Sequence, residues 1–380
     1  MFGLNRRKGK VVCVADIHDG SVAVAIVALG THPAVLALER ASAPMTETSA
    51  PGHAQLAALL TETANKLIQA YSVSDVAKKF GQPQHVYAVF HSPWTHLRTA
   101  QAEESYEKPR TVTKELIASL VQKALTAPSQ LGNTKLSSGV LHVYVNGYPS
   151  AKPIGKKGAK VGVIAYESDI DAEMQTATVA ALQKVLPGRS VIARSAMRAF
   201  LAVMHEHMPD IPRYAVIDVG TMYTSSFVIR RENVSEESSV PEGVTTITKR
   251  LAGSGPPEEI IPLLRLIAND NCTTPACQAL RESIARLEPE LVKTYAELFA
   301  KLAAARRLPN AAVLFVADPY AEWMRNFFAR IDFAQFTATT QPFTVDVMTA
   351  DKLGHVQWSG KADAGIGVAA TYVNMVEQTE

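Results

Sequence analysis

Two aspartates sit in matching surroundings. Asp218 follows the apolar run 215–217 and leads into Val219-Gly220-Thr221, after which residues 225–229 are again rich in β-formers. Asp16 follows the run 11–15 and leads into Ile17-His18-Asp19-Gly20, then the apolar run 22–29. Each stretch reads as strand, tight turn, strand. Gly220 can take the positive φ that such turns often need. The chemistry on offer is anion binding. Turn N–H groups and the hydroxyls of Thr221 and Thr224 would face a phosphate, with Asp16 and Asp218 placed for Mg²⁺ or its waters. An ordinary hairpin in a core sheet has the same local pattern, so one copy decides little. Two copies 202 residues apart suggest an internal duplication with a cleft between the halves.

The totals fit that picture. A chain of 380 residues suits two domains, each able to bury a core. With 47% hydrophobic and 19% charged residues the composition is globular. A net charge of +2 gives no reason to expect nucleic acid. Cys13, Cys272 and Cys277 do not make a disulfide framework, which points to a reducing compartment. Cys272 and Cys277 are also too few to hold zinc. No stretch approaches the roughly 20 apolar residues of a membrane span. The basic opening MFGLNRRKGK is not followed by the apolar segment of a signal peptide. The expectation is a soluble, cytoplasmic protein.

Around the first hairpin the pattern predicts a strand at 35–38, a helix at 53–71 and a strand at 86–90. Residues 101–169 break the rhythm. They read as an amphipathic helix at 113–125 and two strands at 140–145 and 161–166. Between the strands runs a loop, 146–158, dense in Gly, Pro and Lys. A helix at 170–186 with Asp169 as its N-cap, a strand at 190–193 and a helix at 195–207 lead to the second hairpin. Beyond it come a strand at 234–240, helices across 253–307 with the last at 288–307, a strand at 310–316, a helix at 321–329, a strand at 343–347 and a closing helix at 364–376.

This order, with its two Asp turns, resembles the actin-like ATPase superfamily, whose paired hairpins clamp the phosphates of ATP. The resemblance implies an α/β, actin-like (ribonuclease-H-like) duplicated fold. Two domains, 1–100 with 170–210 and 211–380, would flank a cleft, and 101–169 would be a small inserted helix-plus-strands subdomain. That insertion, and the loop from Asn146-Gly147-Tyr148-Pro149 to Pro153-Ile154-Gly155, is similar to the FtsA/PilM branch. The short basic opening is similar to PilM proteins. The ending at residues 375–380 lacks the amphipathic membrane helix of FtsA.

ATP with Mg is the cofactor that the resemblance implies. Asp16, Ser21, Asp218, Gly220, Thr221, Gly243 and Lys293 fall at its cofactor-binding positions, Asp16 and Asp218 being the metal pair. Several positions depart from the pattern. His18 and Asp19 replace a glycine and a hydroxyl residue, Met222 and Tyr223 replace small residues, and Glu242 replaces a glycine. The turn Ala317-Asp318-Pro319-Tyr320 lacks the glycines that let adenine approach. Lost donors and added negative charge predict weak or absent ATP binding.

The function implied is a PilM-like scaffold that holds the cytoplasmic peptide tail of an inner-membrane protein in a type IV pilus-like assembly. Its contact with the membrane would run only through that partner. The peptide would dock near residues 86–99 and the inserted subdomain, with Trp94, Tyr148, Lys156 and Lys157 as contact residues. Competing readings are an FtsA-like division filament, an active Mg-dependent ATPase or kinase of the same fold, and a self-assembling structural protein or homo-oligomer.

Overall fold

The four hairpin strands are buried on both faces except at Arg213, as the largely apolar β1, β2 and β10 require, while β11 buries Thr224, Ser225 and Ser226 beside its apolar residues. In the computed structural model, residues 10–45, 51–126, 134–207, 211, 213–230, 233–339, 341 and 343–379 are described. Most of the basic opening, residues 1–9, lies outside them.

The chain begins with β1 (Val11–Ile17), β2 (Ser21–Ala28) and β3 (Ala34–Ser42), then α1 (His53–Ser72), α2 (Asp75–Phe80) and β4 (His85–Phe90). The inserted unit follows with β5 (Leu97–Thr111), α3 (Lys114–Leu125), β6 (Thr134–Val145), β7 (Tyr148–Pro149) and β8 (Lys157–Ile170). Next come α4 (Ala172–Val185), β9 (Val191–Ser195) and α5 (Ala196–His207). The second half holds β10 (Arg213–Val219), β11 (Thr224–Arg230), β12 (Asn233–Val240), α6 (Val244–Ala252), α7 (Ile260–Ala268), α8 (Pro275–Ala303), β13 (Ala311–Val316), α9 (Ala321–Arg330) and β14 (Thr344–Val347). The last elements are β15 (Gln357–Trp358) and α10 (Ala364–Thr379).

The duplication is visible in the sheets. One runs β15-β3-β2-β1-β4-β9 and the other β12-β11-β10-β13-β14. In each, a central strand pairs antiparallel with the next strand in sequence and parallel with a later one. Asp16 stands opposite Ala23 and Val89, and Asp218 opposite Ser225 and Phe315. Helices α5 and α10 lie between the sheets in one continuous core with Phe200, Phe227 and Phe315. Helices α1 and α4 cover the outer face of the first sheet, while α6, α8 and α9 cover that of the second.

β15 pairs with β3, so residues 357–358 extend the first sheet, and α10 packs in the layer between the two sheets. Three readings need correction. The inserted sheet has a long strand, β5, that the polar sequence 97–111 concealed. The N-cap of α4 is Asp171, whose side chain accepts from the Met174 N–H, whereas Asp169 accepts from the His96 N–H. Helix α8 starts at Pro275, carries Pro289 within it and stops at Ala303, short of Arg306 and Arg307. In addition, Cys272 and Cys277 are joined by a disulfide across the α7–α8 connection, where the sequence suggested none.

Candidate functional site

The two hairpin turns are the same length. Ile17 pairs with Val22 and Val219 with Thr224, leaving four residues at each tip. His18 N–H donates to the Ser21 carbonyl at 2.9 Å, and Gly220 N–H to that of Tyr223 at the same distance. By position His18 matches Gly220, and Asp19 matches Thr221.

The tips meet, and Asp19 fills the second one. Its Oδ1 accepts the Thr221 N–H at 2.8 Å, and Oδ2 accepts those of Met222 and Tyr223 at 2.6 and 2.7 Å. Three consecutive backbone donors around one carboxylate form an anion nest, and the anion is the chain's own. Gly220 permits the approach, since a Cβ there would fall 2.7 Å from Asp19 Oδ1. Gly20 faces Thr221 as closely. Asp19 is 1% exposed. Burial raises its pKa above the ordinary carboxylate value, against the pull of the three N–H groups and of His18.

The two metal-position aspartates are bridged by an imidazole. His91 follows β4, where its N–H donates to the Ile17 carbonyl at 2.9 Å. Its Nε2 lies 2.8 Å from Asp16 Oδ1 and its Nδ1 3.0 Å from Asp218 Oδ2. Burial alone would lower the His91 pKa, but the two carboxylates overcome it and raise it to about 10. The ring is therefore an imidazolium donating to both halves. Burial works to raise the Asp16 pKa, but His91 and His18 hold it well below the ordinary value. Arg40 donates to Asp16 Oδ2 at 3.3 Å and makes a two-pronged pair with Asp363 at 2.6 and 2.9 Å. Gly365, near the start of α10, leaves room for Asp16.

Asp16, His18 and His91 could be taken for a two-histidine, one-carboxylate metal site, their ligand atoms lying within 4.8 Å of one another. The ring geometry opposes it. His18 stacks on His91 with centroids 3.5 Å apart and planes at 22°. Lone pairs in two nearly parallel planes do not converge on one ion. The cluster is a hydrogen-bonded charge network.

Mg·ATP does not fit these residues as they are arranged. The nest holds Asp19, His91 engages both aspartates, and Arg40 engages Asp16 as well. The N–H groups of Val244 and Thr245, which open α6, donate to the carbonyls of Gly220 and Thr221 at 3.0 and 2.9 Å. Gly243 serves that packing, because a Cβ there would lie 2.6 Å from the Thr221 carbonyl. Glu242 is buried, paired with Arg250 at 2.6 Å and bonded by the Thr246 hydroxyl at 2.6 Å. Ser21 is buried at the first tip, while Lys293 is exposed on α8. The predicted cofactor set is therefore brought together at both tips, apart from Lys293. It is joined by Asp19, His91, Arg40 and Asp363.

The predicted peptide contacts are separated. Trp94 is 9% exposed, and its Nε1 donates to the His18 carbonyl at 3.0 Å. It sits at the base of the inserted unit, where the Asp171 N–H donates to its carbonyl. Lys157 opens β8 at the opposite end, paired with Thr111, and Tyr148 is on the same end of the sheet. The 14 residues of β8 span about 40 Å at a strand's rise per residue. Trp94 does not share a groove with Tyr148, Lys156 and Lys157.

No family model and no curated protein matches the sequence. Solved structures do. The chain superposes on a structure of the PilM–PilN type IV pilus biogenesis complex with a TM-score of 0.56 at 14% identity, over 96% of this chain and 98% of that one. The protein has an actin-like ATPase fold. Within this actin-like fold, weaker matches include the ethanolamine utilization protein EutJ from Carboxydothermus hydrogenoformans, at TM-score 0.45 and 14% identity, covering 98% and 91% of the two chains. A Bacteroides thetaiotaomicron protein of unknown function with an actin-like ATPase fold matches at TM-score 0.35 and 10% identity, covering 98% and 99%. Among the described residues no helix is long and apolar enough to cross a membrane.

Proposed function

We propose that this protein is a PilM-like scaffold that works without nucleotide turnover. Its interdomain cleft is closed by its own side chains. The observation that carries this reading is the Asp19 carboxylate seated on the Thr221, Met222 and Tyr223 N–H groups. An anion already bound there excludes a phosphate by occupancy and by like charge. His91 performs the parallel task for Asp16 and Asp218, supplying the positive charge that a metal would otherwise bring. An actin-like fold without a working cleft still offers a rigid body on which to gather partners.

The partner proposed is a short peptide from the cytoplasmic tail of an inner-membrane protein of a pilus-type assembly, which places the scaffold at the inner face of that membrane. The likeness to a PilM–PilN complex supports the choice. Docking is assigned to the junction of the first half with the base of the inserted unit, near residues 86–99. Titration with a fluorescent ATP analogue and Mg²⁺ tests the first claim. No saturation at millimolar nucleotide is expected, and micromolar binding would overturn it. Fluorescence anisotropy with synthetic cytoplasmic tails from the same genome's pilus-type membrane proteins tests the second. One tail should bind in the micromolar range and lose binding when residues 101–169 are replaced by a short linker.

A further inference from the structure

The far end of the inserted unit carries a concentration of charge and exposed apolar surface. Asn146 and Gly147, both at positive φ, turn the chain between β6 and β7. Tyr148 follows and is 76% exposed, and Ile154 on the returning loop is 55% exposed. They are two of five large apolar side chains exposed among the described residues. The loop then joins the end of β5, where the Lys156 carbonyl accepts the Val112 N–H and Lys157 pairs with Thr111. This brings the loop beside the segment that links β5 to α3.

Segments 107–115 and 146–158 together hold six basic residues, Lys108, Arg110, Lys114, Lys152, Lys156 and Lys157, against two acids, Glu107 and Glu115. The tip is thus +4, while the whole chain is +2. All six basic side chains are exposed. The five lysines have no ion-pair partner among the described residues, in contrast to Lys160 and Lys123 nearby, which pair with Glu103 and Glu104. Arg110 packs over the Tyr106 ring.

We infer that this tip docks on the surface of a bilayer containing anionic lipid headgroups. Lysines bring it to the negative surface, and Tyr148 and Ile154 enter the headgroup layer, where an aromatic ring with a polar end is favoured. The combination favours a bilayer over an acidic peptide. A peptide would need a groove to hold its backbone, whereas the tip presents apolar side chains outward on a turn. The inference goes beyond the scaffold reading and needs neither the peptide nor the nucleotide result to hold.

The test is co-sedimentation of the full chain with vesicles of phosphatidylcholine alone, or of phosphatidylcholine mixed with phosphatidylglycerol. Binding is expected only to the mixed vesicles, weakening as salt shortens the Debye length. Lys156→Gln with Lys157→Gln should lower partitioning by about 25-fold, two surface charges at roughly fivefold each. Tyr148→Ser with Ile154→Ser should lower it several-fold at unchanged charge. All four residues are exposed, so an unchanged circular-dichroism melt checks the fold. Binding equal on neutral and anionic vesicles, no binding to either, or indifference to the lysine variant would overturn the inference. So would saturable binding of a polyglutamate peptide at the same lysines with no vesicle binding, which would make the tip a protein-docking surface.

Discussion

Asp16 and Asp218 each hold the sixth place in a seven-residue strand, and they share one imidazole. The duplication delivers the two carboxylates to the same spot from opposite halves. Only the first half supplies His91. Its counterpart after β13 is Ala317. The site is therefore symmetric in its acids and asymmetric in the cation that joins them.

Removing that cation leaves two buried carboxylates facing each other. His91→Ala is expected to destabilise the protein by about 3–5 kcal/mol, the usual result of stripping one partner from a buried charge network. Urea unfolding of the two proteins measures this. A loss below about 1 kcal/mol would mean that the bridge does not hold the halves together.

The same bridge sets a pH dependence. The folded pKa of His91, about 10, lies above its ordinary value of 6.5. Its contribution is fully present below pH 6.5 and is lost as pH rises through 10. Asp16 works in the opposite sense, contributing above its ordinary value of 3.8 and losing that contribution as pH falls below it. Melting temperature should decline across the alkaline window in the wild type. In His91→Asn the slope should be shallower. Equal slopes would remove His91 as the cause.

Asp19→Ala should empty the anion nest while leaving its three N–H donors in place. The variant is expected to bind inorganic phosphate or Mg·ATP more tightly than the wild type, by at least about tenfold once the like charge is gone. It should also lose about 1–3 kcal/mol, since three buried donors lose their acceptor. Calorimetric titration reads the first effect and thermal melting the second. Unchanged nucleotide binding would mean that other substitutions in the turns close the cleft.

Gly243→Ala should be costly for a steric reason. The added methyl would meet the Thr221 carbonyl carbon and oxygen at 2.6 Å, and backbone cannot give way cheaply. A loss of about 1–3 kcal/mol is expected. Gly360→Ala is the control, because nothing lies within 4 Å of its Cβ position. Similar melting temperatures for the two variants would refute the packing role given to Gly243.

The hairpins and their aspartates were legible because a short apolar run leads into each Asp turn and a run rich in β-formers leaves it. The inserted unit was legible from its helix and from two of its strands. β5 was not, since LRTAQAEESYEKPRT is largely polar and most of its outer half is exposed. Helix α8 begins at Pro275, well before residue 288, and carries within it Pro289, a residue type that usually ends or kinks a helix. Asp19 was recognised as a negative charge in the place of phosphate oxygens. What could not be read was that its partners come from Thr221 to Tyr223, since that contact depends on how the halves close. His91 left no local trace either. Its role arises from β4 lying parallel to β1, which places the residue after Phe90 beside Asp16. The disulfide joining Cys272 and Cys277 likewise depends on a loop geometry that their spacing does not specify.

The return of β15 and α10 to the first sheet orders events on the ribosome. The second sheet's strands, 213–347, are all made before residues 357–379 emerge. Until then the first sheet lacks an edge strand, and the layer between the sheets lacks one of its two helices. The half that is synthesised first is thus the half that is finished last. A nascent chain stalled before Gln357 would expose the apolar inner face of the first sheet, a natural handle for chaperones and proteases.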